Sequence, residues 1–269
     1  MSVANYKATI WEDSIAENFA ENTFVGLLTT PPVEVKGEKV VFNRIAPGAW
    51  KDYISGAKIE WSEVSTTKVE LTFPKQKYYA FMLEDVDKCQ LVGDVLNAVT
   101  KEQSTVLGEQ IDSEVVTYIV ETTPVANTIG SVTAQELVTK SNAYDLLVDL
   151  NTKANKLKVP VTERYFVISP DFLALLAKDS RFTLQYSILA NGIVEGATIN
   201  GAVLLVKADN PTDKVILTHK SATGYGMQLT GEPEAIRLQD YLADGVRGVV
   251  KYGYIQLRPE SSCVAYIKY

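Results

Sequence analysis

Apolar residues in the first thirty positions recur at helical spacing. Ile10, Trp11, Ile15, Phe19, Ala20, Phe24 and Leu27 stand between polar neighbours and predict an amphipathic helix. Thr29-Thr30-Pro31-Pro32 ends it, because proline has no amide hydrogen and steers the preceding residue out of helical geometry. The period then becomes two. Residues 38–45, 57–64 and 66–73 alternate apolar with polar, as strands with one covered face do. Residues 46–56 between the first two are a long loop punctuated by glycine and proline, so this region reads as an extended β-arm.

From 85 to 121 the helical spacing returns in Val92, Val95, Leu96, Val99, Val106, Ile111, Val115 and Ile119. A helix of that length is roughly 45 Å long. A sphere of this chain length is only about 48 Å across, which predicts a flat or elongated subunit. Gly108 interrupts the stripe and marks a place for a bend, at about 1 kcal/mol relative to alanine. Thr122-Thr123-Pro124 closes the segment. Thr133-Ala134-Gln135-Glu136 has the spacing of a capping box and predicts a short helix. A further helix carries Ala143, Leu146, Leu147, Leu150, Ala154 and Leu157. The run Arg164-Tyr165-Phe166-Val167-Ile168 is a short buried strand, and Ser169-Pro170-Asp171 opens another helix. Residues 198–206, 215–219 and 246–268 are mostly strand-like, joined by glycine and asparagine turns. The fold class is α+β, without internal repeats or low-complexity segments.

Composition narrows the function. The 269 residues carry 26 basic and 33 acidic side chains, a net charge of −7, with 46% hydrophobic residues. A chain this long can bury a substantial core, so it needs neither disulfides nor metal to fold. No window of about eighteen apolar residues predicts a membrane span, and the N-terminus lacks the layout of a signal peptide. Cys89 and Cys263 stand far apart without a metal-binding spacing, which predicts free thiols in a reducing cytoplasm.

The search for chemistry returns little. His219 is the only histidine; it ends the run Val215-Ile216-Leu217-Thr218 with no serine elbow nearby and reads as a structural residue. Neither cysteine has a local activator. Glu84, Asp85 and Asp87 could supply oxygens to a divalent cation, but they lack the calcium-loop pattern and open the long helix, where carboxylates complement free amides. Gly224-Tyr225-Gly226 and Gly245-Val246-Arg247-Gly248 do not complete a phosphate loop and read as turns. Lys36, Lys39, Lys51, Lys58, Lys68, Lys75 and Lys77 interleave with acids, so no phosphate-neutralising face forms. The sequence thus points to no catalytic group, cofactor or metal, and an assembly role leads. An α/β metal-dependent enzyme using the acidic trio is the alternative from another class.

The order of segments carries a resemblance. A helix, a β-arm, a spanning helix, a helical α/β block and returning strands, in that sequence, resemble the tailed-phage major capsid proteins of the Hong Kong 97 fold. Residues 78–90, an aromatic strand leading into Asp85-Val86-Asp87 and Gln90, are similar to the passage from arm to spine helix in those coats. Residues 159–170, with Val159-Pro160, Arg164, Val167-Ile168 and Ser169-Pro170, are similar to a passage of their axial domain. Gly245-Val246-Arg247-Gly248 followed by Tyr252-Gly253 resembles their returning peripheral strands.

The resemblance implies an N-terminal arm at 1–30, an extended β-hairpin loop at 31–74, a peripheral domain at 75–125 with 241–269, and an axial domain at 126–240. It implies a structural protein that self-assembles, as hexamers and pentamers, into an icosahedral shell around double-stranded DNA. The implied setting is a virion capsid assembled in the host bacterial cytoplasm. Expected partners are other copies of the chain, a portal, packaged DNA without sequence-specific contact, and no membrane. A separate scaffolding protein is also expected, because little sequence precedes the N-arm. No residue pair carries over the covalent crosslink of one branch. An encapsulin-type nanocompartment shell is the alternative within the same fold. A β-arm of two or three strands is marginal alone and gains stability on a neighbour, so its aromatic residues Trp50, Tyr53 and Trp61, with Arg44, are the candidate subunit anchors. The turn-rich span 190–213 is expected at the capsomer centre.

Overall fold

One long helix lies between the two larger of three β-sheets. The computed structural model describes residues 23–32, 34–36, 39–45, 52, 55–56, 58, 66–84, 95–179, 181–182, 193–238 and 242–269. The first elements are α1 (Val25–Leu28), β1 (Thr29–Thr30), β2 (Glu34–Lys36), β3 (Lys39–Ile45), β4 (Thr66–Thr72) and β5 (Lys75–Glu84). They are followed by α2 (Val95–Thr122), β6 (Thr128–Ile129), β7 (Glu136–Leu137), α3 (Ala143–Lys156), β8 (Arg164–Ile168) and α4 (Pro170–Leu176). The chain finishes with β9 (Ile193–Ile199), β10 (Ala202–Val206), β11 (Lys214–His219), β12 (Thr223–Arg237), β13 (Ala243–Gln256) and β14 (Ser262–Lys268).

The largest sheet runs β6-β14-β11-β8-β10-β9, with β7 continuing the β6 edge of β14. Its central strands read as unbroken apolar runs because both of their faces are covered. Phe166, Leu204, Leu217 and Ala265 point to one side, into a core with Leu147, Leu150, Phe172 and Leu176 of α3 and α4. Val167, Leu205, Ile216 and Val264, each one residue out of phase, point to the other side and meet Ile111, Val115 and Ile119 of α2. Ser169 caps α4 by accepting the Phe172 amide at 3.3 Å, with Pro170 in the first turn. β9 and β10 form a hairpin whose two-residue turn, Asn200-Gly201, has φ of 49° and 84°, the left-handed pair that matches strand twist.

Arg164 is the largest side chain sealed in this block. It donates to the Pro160 carbonyl at 2.6 Å and to Asn155 Oδ1 at 2.8 Å, and also to Asn151 and the Val159 carbonyl. All four acceptors are uncharged oxygens, so the guanidinium pins the α3–β8 loop, where Lys158 and Glu163 take positive φ.

A second sheet runs β1-β12-β13-β5, and the third, β2-β3-β4, forms the arm. Helix α2 spans 28 residues, about 42 Å, and is continuous through Gly108, which lies on its buried side; Val106, expected on that stripe, is exposed.

Two local expectations are corrected. Residues 133–136 open no helix: the Ser131 hydroxyl and carbonyl both accept the Ala134 amide, closing a turn. Glu136-Leu137 then pair with Ile267-Lys268 on the edge of β14, so a long-range partner overrides the capping pattern. The glycine clusters are not turns either, since Gly224 and Gly226 lie inside β12 while Gly245 and Gly248 lie inside β13. Glycine is used there for room: a Cβ on Gly224 would sit 2.8 Å from the Phe42 ring, and one on Gly226 3.3 Å from Val40. β14 belongs to the largest sheet, and β12 pairs along its length with β13.

Candidate functional site

The arm joins the body through its apolar face. Val40 and Phe42 of β3, with Leu71 and Phe73 on and beside β4, are buried against Ile255 and Leu257. The glycines of β12 supply the hollow that receives them. β3 and β4 pair from Lys39↔Thr72 out to Ile45↔Thr66, so the described strands project as an antiparallel ribbon. Arg44 lies far along this ribbon, paired with Thr67. Its side chain, and Trp50, Tyr53 and Trp61, lie outside the described residues, as do residues 1–22 of the expected N-terminal helix, the expected strand 57–64 apart from Lys58, Cys89, and Asp85 and Asp87 of the acidic trio.

Two polar knots fasten α2 to its surroundings. Asp112, only 2% exposed, accepts from the Thr23 hydroxyl at 2.5 Å, from the Val25 amide at 3.2 Å and from Lys207 at 2.7 Å. It therefore holds the start of α1 against the end of β10. Two residues on, Glu114 takes Lys75 at 2.8 Å, Lys77 at 3.0 Å and the Tyr252 hydroxyl at 2.9 Å, binding α2 to the four-stranded sheet. Further along, the Gln256 amide donates to the Tyr118 hydroxyl and its side chain donates to the Thr122 carbonyl. Sequence reading missed these residues. The available signal was charge on a buried stripe, with Asp112 lying between Ile111 and Val115.

The outer face of the four-stranded sheet carries exposed apolar side chains. Tyr78 is 81% exposed and Met82 52%, two rungs apart on β5, and Val249 of β13 stands opposite Tyr78.

The reactive residue types within the described part are tied into structure. His219 Nδ1 accepts the Ser221 amide at 3.1 Å and lies 2.8 Å from its hydroxyl, and burial pushes the imidazole below its ordinary value. Burial pushes the Cys263 thiol up to about 11, which keeps it protonated and a poor nucleophile. Among the described residues no three histidine, cysteine or acidic side chains cluster as a metal site.

The sequence matches the phage capsid protein family over residues 68–261, most of the chain. The chain belongs to the phage capsid protein family. Its fold is the Hong Kong 97-type α+β fold of solved phage capsids. The capsid structure of cyanophage P-SCSP1u aligns with a TM-score of 0.65 at 16% identity, covering 90% of this chain and 86% of that one. A structure from Mycobacterium phage Che8 aligns at 0.62 with 23% identity, covering 92% and 90%. The virus-like particle from Pyrococcus furiosus aligns at 0.60 with 13% identity, covering 98% and 100%. No curated protein matches at a significant level. For this capsid protein the matched region runs from the arm's return strand through the long helix to the last turn before β14.

Proposed function

We propose that this chain is a major capsid protein whose copies assemble, as hexamers and pentamers, into the icosahedral shell that encloses phage double-stranded DNA. The observation that carries the reading is the family match over residues 68–261, which include the long helix and most strands of the two larger sheets. In this reading α2 is the spine helix and, with the four-stranded sheet, forms the peripheral domain. The seven-stranded sheet with α3 and α4 forms the axial domain, and β2-β3-β4 is the root of the extended loop. Assembly in a bacterial cytoplasm with a separate scaffolding protein and a portal follows from the same reading, as does DNA held without sequence-specific contact. The surplus of acidic over basic residues is compatible with a wall that does not bind its contents by adhesion.

The test is expression of the full chain with and without its adjacent genes, followed by light scattering and negative-stain microscopy. Closed isometric particles are expected; a stable monomer under every condition overturns the proposal. A nanocompartment shell is the second reading, compatible with the fold match to the Pyrococcus virus-like particle and less well supported than the phage shell. Particles that recruit a protein cargo through a docking peptide, and never nucleic acid with a portal, would decide for it.

A further inference from the structure

Where the arm meets the four-stranded sheet there is a cleft of about 150 Å³, lined by Lys39, Thr72, Phe73, Gln76, Gln228 and Lys251. Two pairing registers build it. Gln228, Lys251 and Gln76 are direct neighbours across β12, β13 and β5, forming one rung of a single face. Lys39 and Thr72 are direct neighbours across β3 and β4, forming the last rung of the arm before it joins the body. Directly opposed side chains on a sheet have Cβ atoms about 5 Å apart, so the rung places its three polar groups side by side.

The donor inventory is one-sided. Two ammoniums, two side-chain amides and a hydroxyl line a volume large enough for several waters, and no carboxylate lines it. Lys39 is engaged by Glu70 at 2.9 Å. The side chains of Lys251, Gln76 and Gln228 have no hydrogen-bond or ion-pair partner among the described residues. A lysine flanked by two amides in a cleft that Phe73 also lines is a cradle for a small oxyanion: the ammonium supplies charge and the amides fix orientation.

We infer that this cleft is an oxyanion seat, filled by a carboxylate or phosphate group that locks the arm root to the sheet. The group would bridge a rung of the arm and a rung of the body, so occupancy opposes hinging of one on the other. Two sources share this chemistry, namely a free small oxyanion or an acidic side chain of a second copy, a chain that carries 33 acids against 26 bases. Only the second source rests on the assembly reading above.

The experiment takes the full chain at low ionic strength, where such an interaction is least screened. The thermal midpoint is titrated with inorganic phosphate against chloride of equal ionic strength, for wild type, Lys251→Met and Lys251→Arg. A phosphate-specific rise that weakens about tenfold in Lys251→Met and returns in Lys251→Arg supports the seat with a free anion. Particle yield is scored for the same variants and Lys251→Glu. With no phosphate response, a yield lost in the Met and Glu variants and kept in the Arg variant supports the seat with a neighbour's carboxylate. If neither phosphate response nor yield depends on charge at position 251, the inference is overturned. In a chain that makes no particles at all, the phosphate titration alone decides, separating this failure from that of the assembly reading.

Discussion

Asp112 and Lys207, 95 residues apart in the chain, meet at 2.7 Å between the long helix and the end of β10 with both side chains nearly sealed from solvent. Burial holds the Asp112 carboxyl above the ordinary aspartate value, although Lys207, the Thr23 hydroxyl and a backbone amide all donate to it. Replacing Lys207 with methionine removes the strongest of those donors and raises that value further. The folded variant then binds a proton at a pH where the unfolded chain does not, so its stability rises as pH falls. Lys207→Met is expected to lose about 3 kcal/mol near neutral pH, the usual scale for stripping one partner from a buried pair. The deficit should narrow on acidification toward the ordinary aspartate range. Urea midpoints at the two pH values check this, and a deficit that ignores pH would assign the loss to packing.

Glu114 responds to acid in the opposite sense. Burial alone would raise its carboxyl, yet Lys75, Lys77 and the Tyr252 hydroxyl together hold it below the ordinary glutamate value. Its contribution is therefore complete above pH 4.5, the ordinary value, and is lost as pH falls through the lower folded value. Glu114→Gln should cost about 1–2 kcal/mol near neutral pH and flatten the acid limb of the stability curve. Guanidinium unfolding across pH 3 to 7 reads both effects, and an unchanged acid limb would remove Glu114 from the account.

Gly224→Ala tests the seating of the arm. The new methyl group would lie 2.8 Å from two atoms of the Phe42 ring and 3.2 Å from Leu257. Overpacking of this kind costs about 1–3 kcal/mol. Combining it with Phe42→Leu should recover part of the loss, giving a coupling energy in a double-mutant cycle. Strict additivity would mean that the ring and the glycine do not share the hollow.

The same strand shows where sequence reading stops. β8, β11, α3 and α4 are legible because covered faces demand apolar residues at a fixed period, and a run such as Phe166-Val167-Ile168 feeds both faces at once. β12 is not, because Thr223-Gly224-Tyr225-Gly226 and, further on, Gly231-Glu232-Pro233 have turn chemistry. Only pairing with β13, with a register shift between Thr230 and Glu234, makes it a strand. The knots are hidden for a related reason. Asp112 and Glu114 can be seen as charges on a helix, but Lys207, Lys75 and Tyr252 become their partners only once the sheets form.

The anchors on the arm separate folding from assembly. Phe42 is buried at the arm root against the body of its own subunit, so Phe42→Ala should cost about 3 kcal/mol of stability. Trp50 and Trp61 belong to the sequence between β3 and β4. If they are spent on a neighbour, alanine at either position leaves the midpoint of the isolated subunit unchanged and abolishes particles, since buried aromatic residues dominate interface energetics. Calorimetry on the subunit and sedimentation of the assembly reaction give the two readings side by side. Normal particles from both tryptophan variants would refute the anchors. A lowered subunit midpoint would return the tryptophans to the arm's own packing and leave the exposed face of Tyr78 and Met82 as the next surface to mutate.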